Sequence, residues 1–195
     1  MPHRVVLIIG TPGVGKTTVA KALATELNAI NINLTELVTK ESLIIGRDEE
    51  RDTFIIDEDK MKNRISEIIL ANNNEDIVVD GHYAGLVVRP EYVTKAFVLR
   101  RYPIELKENL ENSGVTGRKL WENLASEILD SCLVDTLEAL DVKNVCELNI
   151  SGKRVAEIIS IILLVLNGER ECGVGTVDWM GKLESEGLLD ECLKI

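Results

Sequence analysis

The sequence predicts an α/β fold in which a parallel sheet carries helices on both faces. Three observations lead there. The apolar runs Val5 to Ile9, Ile77 to Val79 and Ala96 to Leu99 have no polar interruption and read as strands covered on both sides. Segments with helical spacing lie between them, and alternating strands and helices build such a sheet. The third observation is Gly10-Thr11-Pro12-Gly13-Val14-Gly15-Lys16-Thr17-Thr18, which fits G-x-x-x-x-G-K-[ST] between a strand and a helix.

The first strand is expected over Arg4 to Ile9 and the first helix from Lys16 to about Leu27. That helix turns Val19, Ala20, Leu23, Ala24 and Leu27 inward. Ala29 to Leu34 is a short strand candidate, and Thr35, as a cap, opens a helix reaching Leu43. Gly46 to Asp52 is a dense charge cluster, either a solvated face or a mobile lobe that accepts a second substrate. Asp59 to Ala71 is helical, with Met61, Ile65, Ile68 and Ile69 inward, and ends at three asparagines. Pro103 opens a helix to about Asn112 after the Phe97 strand. A turn-rich break follows, then one long helix from Lys119 to Leu140. Val145 to Ile150 is the last strand, and Ser151 caps a helix that stops near Gly168. The tail beyond Glu169 docks through Trp179. The whole chain, 1–195, reads as one domain.

The loop motif carries the chemistry. Successive backbone N–H groups and the positive end of a helix dipole converge on one point and make an anion cradle. Gly10, Gly13, Val14, Gly15, Lys16, Thr17 and Thr18 form it. Lys16 would reach the β- and γ-phosphates of a triphosphate, and the Thr17 hydroxyl would ligate Mg²⁺. Asp80 ends the Ile77 strand, where a nucleotide-bound Mg²⁺ takes a carboxylate directly or through water. His82, two residues on, is either structural or positions a water or phosphate.

Composition narrows the classes. A chain of 195 residues, 45% apolar and 28% charged, supports an ordinary globular core. Its net charge of −11 speaks against coating nucleic acid or binding a membrane surface and suits a basic partner such as a ribosomal protein. No signal-peptide pattern opens the chain, so a cytoplasmic location is expected. Ala156 to Leu166 is the most apolar stretch, too short for a span of ~20 residues, and reads as a buried helix. Cys132, Cys146, Cys172 and Cys192 form no C-x-x-C pair and read as small core residues in a reducing compartment. In a hyperthermophile, Cys172 and Cys192 could pair.

The loop, the segment Asp48-Glu49-Glu50 to Asp57-Glu58-Asp59, Val79-Asp80-Gly81-His82 and Phe97-Val98-Leu99-Arg100 occur in an order and spacing that resemble a known family. It is the atypical adenylate-kinase-like family of archaea and eukaryotes, of the adenylate kinase isoenzyme six type. The similarity covers roughly Val5 to Leu124. It implies a three-layer P-loop nucleoside-monophosphate-kinase-like fold, with a monophosphate lobe near 29–53 and a short lid near 112–122. It implies ATP and Mg²⁺ as cofactors and AMP or another nucleoside monophosphate as acceptor. It also implies a role in maturation of the small ribosomal subunit precursor, through ribosomal protein uS11. No RNA-binding motif appears, and direct RNA contact stays open.

The chain departs from that family in three places. Two lid arginines are Asn109 and Ser113 here, and Gly-Asp-Leu of the monophosphate lobe is Thr35-Glu36-Leu37. Arginine forks stabilise the charge of a transferring phosphoryl group, so kinase competence requires a substitute from Arg100, Arg101, Arg118 or Lys119. Three functions follow: an AMP-phosphorylating kinase with ATPase activity, an ATPase assembly switch for uS11, and a kinase of another small acceptor.

Overall fold

The computed structural model describes residues 3–48 and 53–194. Its apolar runs become a five-stranded sheet of order β2-β5-β1-β6-β7. The strands are β1 Val5–Ile9, β2 Ile30–Asn33, β5 Ile77–Asp80, β6 Lys95–Arg100 and β7 Val145–Asn149, and every pairing is parallel. A separate antiparallel hairpin joins β3 Ile44–Asp48 to β4 Thr53–Ile56. Gly46 to Asp48 of the charge cluster therefore lie on β3, and residues 49–52 of it lie outside the described residues.

Helices cover both faces. They are α1 Lys16–Leu27, α2 Leu34–Lys40, α3 Glu58–Ala71, α4 Ala84–Val87, α5 Pro103–Asn112, α6 Gly117–Ile128, α7 Ser131–Ala139, α8 Val155–Leu166, α9 Trp179–Glu186 and α10 Leu189–Cys192. Alternate strand residues explain the two cores. Leu7, Ile9, Val79 and Val98 face α3, α4 and α7, whereas Val6, Ile8, Val78, Phe97 and Leu99 face α1, α5, α6 and α8. The result is three layers.

Several expected boundaries move, each for a local reason. The cap of α2 is Asn33, whose side chain accepts the Glu36 N–H, so Thr35 is inside the helix. Asp57 caps α3 in the same way through Lys60 N–H, which gives that acidic segment a structural use. The expected Lys119–Leu140 helix is two helices, broken at Asp130, which adopts a left-handed conformation (φ 59°). Ser151 does not cap α8. It accepts the Tyr102 N–H instead, and Arg154 stands at the helix start. Helix α8 buries only Ile158, Ile159 and Ile162, so it is one-sided and not a buried helix.

The cysteines also differ from expectation. Cys146 on β7 is bridged to Cys172, while Cys132 and Cys192 are free and buried, so the Cys172–Cys192 pair does not form. Beside that bridge Glu147 N–H donates to Gly173 carbonyl at 2.9 Å, which covers the β7 edge of the sheet. The C-terminal segment then packs Leu183 and Cys192 on Ile128 of α6. Among the described residues no helix is long and apolar enough to cross a membrane.

Candidate functional site

The site forms where β1, β5 and β2 end together. Strand registers pair Ile8 with Asp80 and Asp80 with Asn33, so the loop after β1, Asp80 and Asn33 share one edge. Ligands of open α/β sheets bind at this carboxyl edge.

The loop backbone is built around its glycines. Gly10 has φ 146°, and a Cβ there would stand 2.6 Å from the Leu99 carbonyl oxygen. Gly13 has φ 88°, and a Cβ would meet Leu110 at 2.6 Å. Both positions therefore require glycine. Helix α1 begins at Lys16 with no acidic residue in its first turn, which leaves its positive end free for an anion.

Lys16 Nζ donates to the Thr11 carbonyl at 2.9 Å, inside the loop. Burial lowers its pKa to about 8, against the opposing pull of Cys132, Asp80 and Glu127. An ammonium held this way lacks a full counter-charge, and a polyphosphate would supply it.

Thr17 Oγ1 donates to Asp80 Oδ2 at 2.8 Å, and Asn33 Nδ2 donates to the same oxygen at 2.8 Å. Asp80 is 1% exposed, and its other oxygen, Oδ1, is buried without a partner. Burial raises its pKa above the usual carboxylate value, although Thr17, Asn33 and Lys16 pull it down. A buried carboxylate oxygen without a donor is costly, and a cation would satisfy it. Mg²⁺ fits: it takes oxygen ligands, binds through one or two carboxylates plus substrate phosphates, and keeps several waters. No group of three or more His, Cys, Asp or Glu that could hold a metal occurs among the described residues.

His82 stands two residues beyond Asp80 and is exposed, with its ring edge-on to Tyr83 at 4.7 Å between centroids. Although part of the residue is open to water, the protein packed around the imidazole desolvates it, and this and next the Lys16 charge lower its pKa to about 4, so it is neutral at pH 7. Thr18 is exposed in the first turn of α1. Arg118 is on the surface at the start of α6, where its Nε donates to Glu122 at 2.7 Å. In the expected lid range, only 113–116 lie between helices.

Asn109 touches the loop, its Nδ2 lying 3.4 Å from the Gly13 carbonyl. Arg100 cannot substitute. It is 2% exposed and bound to Glu127, Glu147 and Asp130. Arg101 lies against the loop: Nε donates to the Val14 carbonyl at 2.9 Å and NH1 to Glu105 at 2.9 Å.

Two further residues belong to the site and were not expected. Asn33 both caps α2 and holds Asp80; its signal was a polar residue ending a strand beside the Asp80 strand. Glu127 accepts the Thr11 hydroxyl at 2.6 Å through Oε2. Its signal was its place on the inward stripe of Leu120, Leu124 and Ile128.

This fold and site define a P-loop phosphotransferase. Residues 6–130 match the AAA domain family. A protein of Methanocaldococcus jannaschii named "Putative adenylate kinase" is 36% identical over 177 residues, covering 91% of this chain and 93% of its own. One of the same name from Methanosarcina barkeri is 36% identical, covering 89% and 96%. Among solved structures, a sugar kinase from Janibacter sp. matches with a TM-score of 0.55 at 20% identity, covering 85% of this chain and 95% of its own. A gluconokinase from Sinorhizobium meliloti matches with a TM-score of 0.51 at 19% identity, covering 86% and 93%. Those two show the kinase-like fold. The chain belongs to the adenylate-kinase-like family that the archaeal proteins represent, with an AAA-type nucleotide-binding domain.

Proposed function

We propose that this protein transfers the γ-phosphoryl group of ATP to a nucleoside monophosphate, AMP in the first instance, and hydrolyses ATP slowly when no acceptor is bound. The observation that carries this reading is the Thr17–Asp80–Asn33 cluster beside the loop, with the buried, unpartnered Oδ1 of Asp80. The archaeal relatives' name supports AMP as the acceptor.

Phosphoryl transfer is mostly positioning and electrostatics. The loop amides and Lys16 hold the phosphates. Thr17 and Asp80 would hold Mg²⁺, which supplies charge neutralisation across the terminal phosphates. Asn33 fixes the rotation of Asp80. His82, neutral, would accept a hydrogen bond from the attacking water when no acceptor is bound. The lobe near 29–53, with the β3–β4 hairpin, would take the acceptor, and 112–122 would act as the lid. The C-terminal segment 169–195 is the remaining part of the same kinase domain.

A second reading is an ATPase assembly switch in the cytoplasm that binds ribosomal protein uS11 during maturation of the small ribosomal subunit precursor. One observation favours it: Arg100 is consumed in the interior, while positions 109 and 113, where the resemblance implies arginines, hold Asn109 and Ser113. The net charge of −11 suits a basic client.

ADP formation from Mg·ATP, with and without AMP and beside a Lys16→Ala control, separates these. The kinase reading expects AMP to raise ADP output strongly, with two ADP made per AMP consumed. Slow release that ignores AMP but vanishes in the variant selects the switch. A variant equal to the parent refutes the site.

A further inference from the structure

Glu127 is 1% exposed, and its carboxylate accepts four hydrogen bonds. Oε1 takes Arg100 Nε, Arg101 N–H and Trp179 Nε1, each at 3.0 Å, and Oε2 takes Thr11 Oγ1 at 2.6 Å. Both oxygens are then engaged, Oε1 three times and Oε2 once, and the carboxylate cannot turn without breaking these bonds.

Thr11 is where this matters. It is 1% exposed, and its carbonyl receives both Lys16 Nζ at 2.9 Å and Val14 N–H at 3.3 Å. The hydroxyl that Glu127 holds thus sets the residue on which the loop turn and the lysine both rest.

Trp179 reaches Glu127 because the C-terminal segment is fixed ahead of it. Glu147 Oε2 accepts Thr176 N–H at 2.7 Å, Thr176 Oγ1 at 3.1 Å and Val177 N–H at 3.3 Å. Glu147 Oε1 accepts Arg100 NH1 at 2.6 Å, which ties the segment to the same arginine. Asp178 then starts α9 by accepting Gly181 N–H at 2.8 Å.

We infer that Glu127 is a positioning residue for the phosphate loop and that Trp179 completes the donor set that holds it, so the C-terminal segment is part of the nucleotide site. This rests on the reading of the loop as an ATP site. Hydrogen bonds to a charged group in a dry site are the strong ones, and each donor removed loosens the carboxylate that fixes Thr11.

The test is the affinity for Mg·ATP of Trp179→Phe, which keeps an aromatic ring and removes the donor together with part of the buried indole. Kd and KM should rise about tenfold, the size of one charge-assisted bond, with a smaller change in kcat. Thr11→Val should do the same, and Thr11→Ser should restore the parent value. The double variant Thr11→Val with Trp179→Phe should be no worse than either alone, because both act through one carboxylate. If Trp179→Phe lowers the melting temperature and leaves Kd unchanged, or if the two effects multiply, the segment only covers apolar surface and the inference is overturned. A parent that binds Mg·ATP no better than Lys16→Ala overturns the ATP reading itself, and the inference with it.

Discussion

Two buried carboxylates flank the phosphate loop, Asp80 at the end of β5 and Glu127 in α6, and each is 1% exposed. Asp80 offers one oxygen to Thr17 and Asn33 and leaves the other without a partner. Glu127 leaves neither free. Burial alone therefore does not distinguish function from support. The count of donors does: an oxygen withheld from the protein waits for a ligand, and a saturated carboxylate holds the frame.

The largest effect expected from this difference is on stability. Arg100→Met would leave Glu127 and Glu147 buried without their cation, and breaking a buried ionic network costs about 3–5 kcal/mol. Chemical unfolding should show a loss of that size. Asp80→Asn, which removes a charge that has no fixed cation of its own, should show a far smaller one.

That contrast also marks what was readable from sequence. Strands β1, β5 and β6 were legible because both-face burial demands continuous apolar runs, and α5 because Pro103 fixes its first turn. The loop, Lys16, Thr17 and Asp80 were legible because their chemistry demands fixed spacing. The break between α6 and α7 was not, although the five-residue gap from Ile128 to Leu133 hinted at it. Asp130 takes a left-handed conformation there and pairs with Arg100, and that pairing exists only in the folded chain. The Cys146–Cys172 bridge and the caps of α2 and α8 likewise depend on neighbours distant in sequence or on turn geometry. Trp179 was expected to dock. That it docks on the carboxylate holding Thr11 had no sequence signal.

A second, smaller effect sharpens the contrast at the loop. Lys16 has a pKa of about 8 in the ligand-free protein, and on the proposed reading ATP would bind its protonated form. Affinity for Mg·ATP should hold below pH 8 and fall about tenfold between pH 8.5 and 9.5, the slope of one linked proton. Lys16→Arg, always charged, should lose that dependence, as calorimetry across this range would show. An unchanged slope would place the titrating group elsewhere.

The smallest effect concerns Asp80 alone. Its folded pKa is raised, so the native state keeps its proton at pH values where the unfolded chain has released it. The stability from that proton is full below the ordinary aspartate pKa and lost as pH rises through the raised value. The parent's stability minus that of Asp80→Asn should therefore fall across this window in the absence of Mg²⁺. A rising difference would mean the carboxylate is already satisfied by the protein.

The most direct measurement is the affinity for ATP, with and without Mg²⁺, in the parent, Asp80→Asn and Glu127→Gln. The two carboxylates should separate cleanly. Asp80→Asn should lose the gain that Mg²⁺ brings, about 10- to 100-fold, and keep metal-free binding. Glu127→Gln should weaken both forms alike. If Glu127→Gln removes the Mg²⁺ dependence, or Asp80→Asn leaves it intact, the unpartnered oxygen of Asp80 is not the metal ligand and the account is wrong.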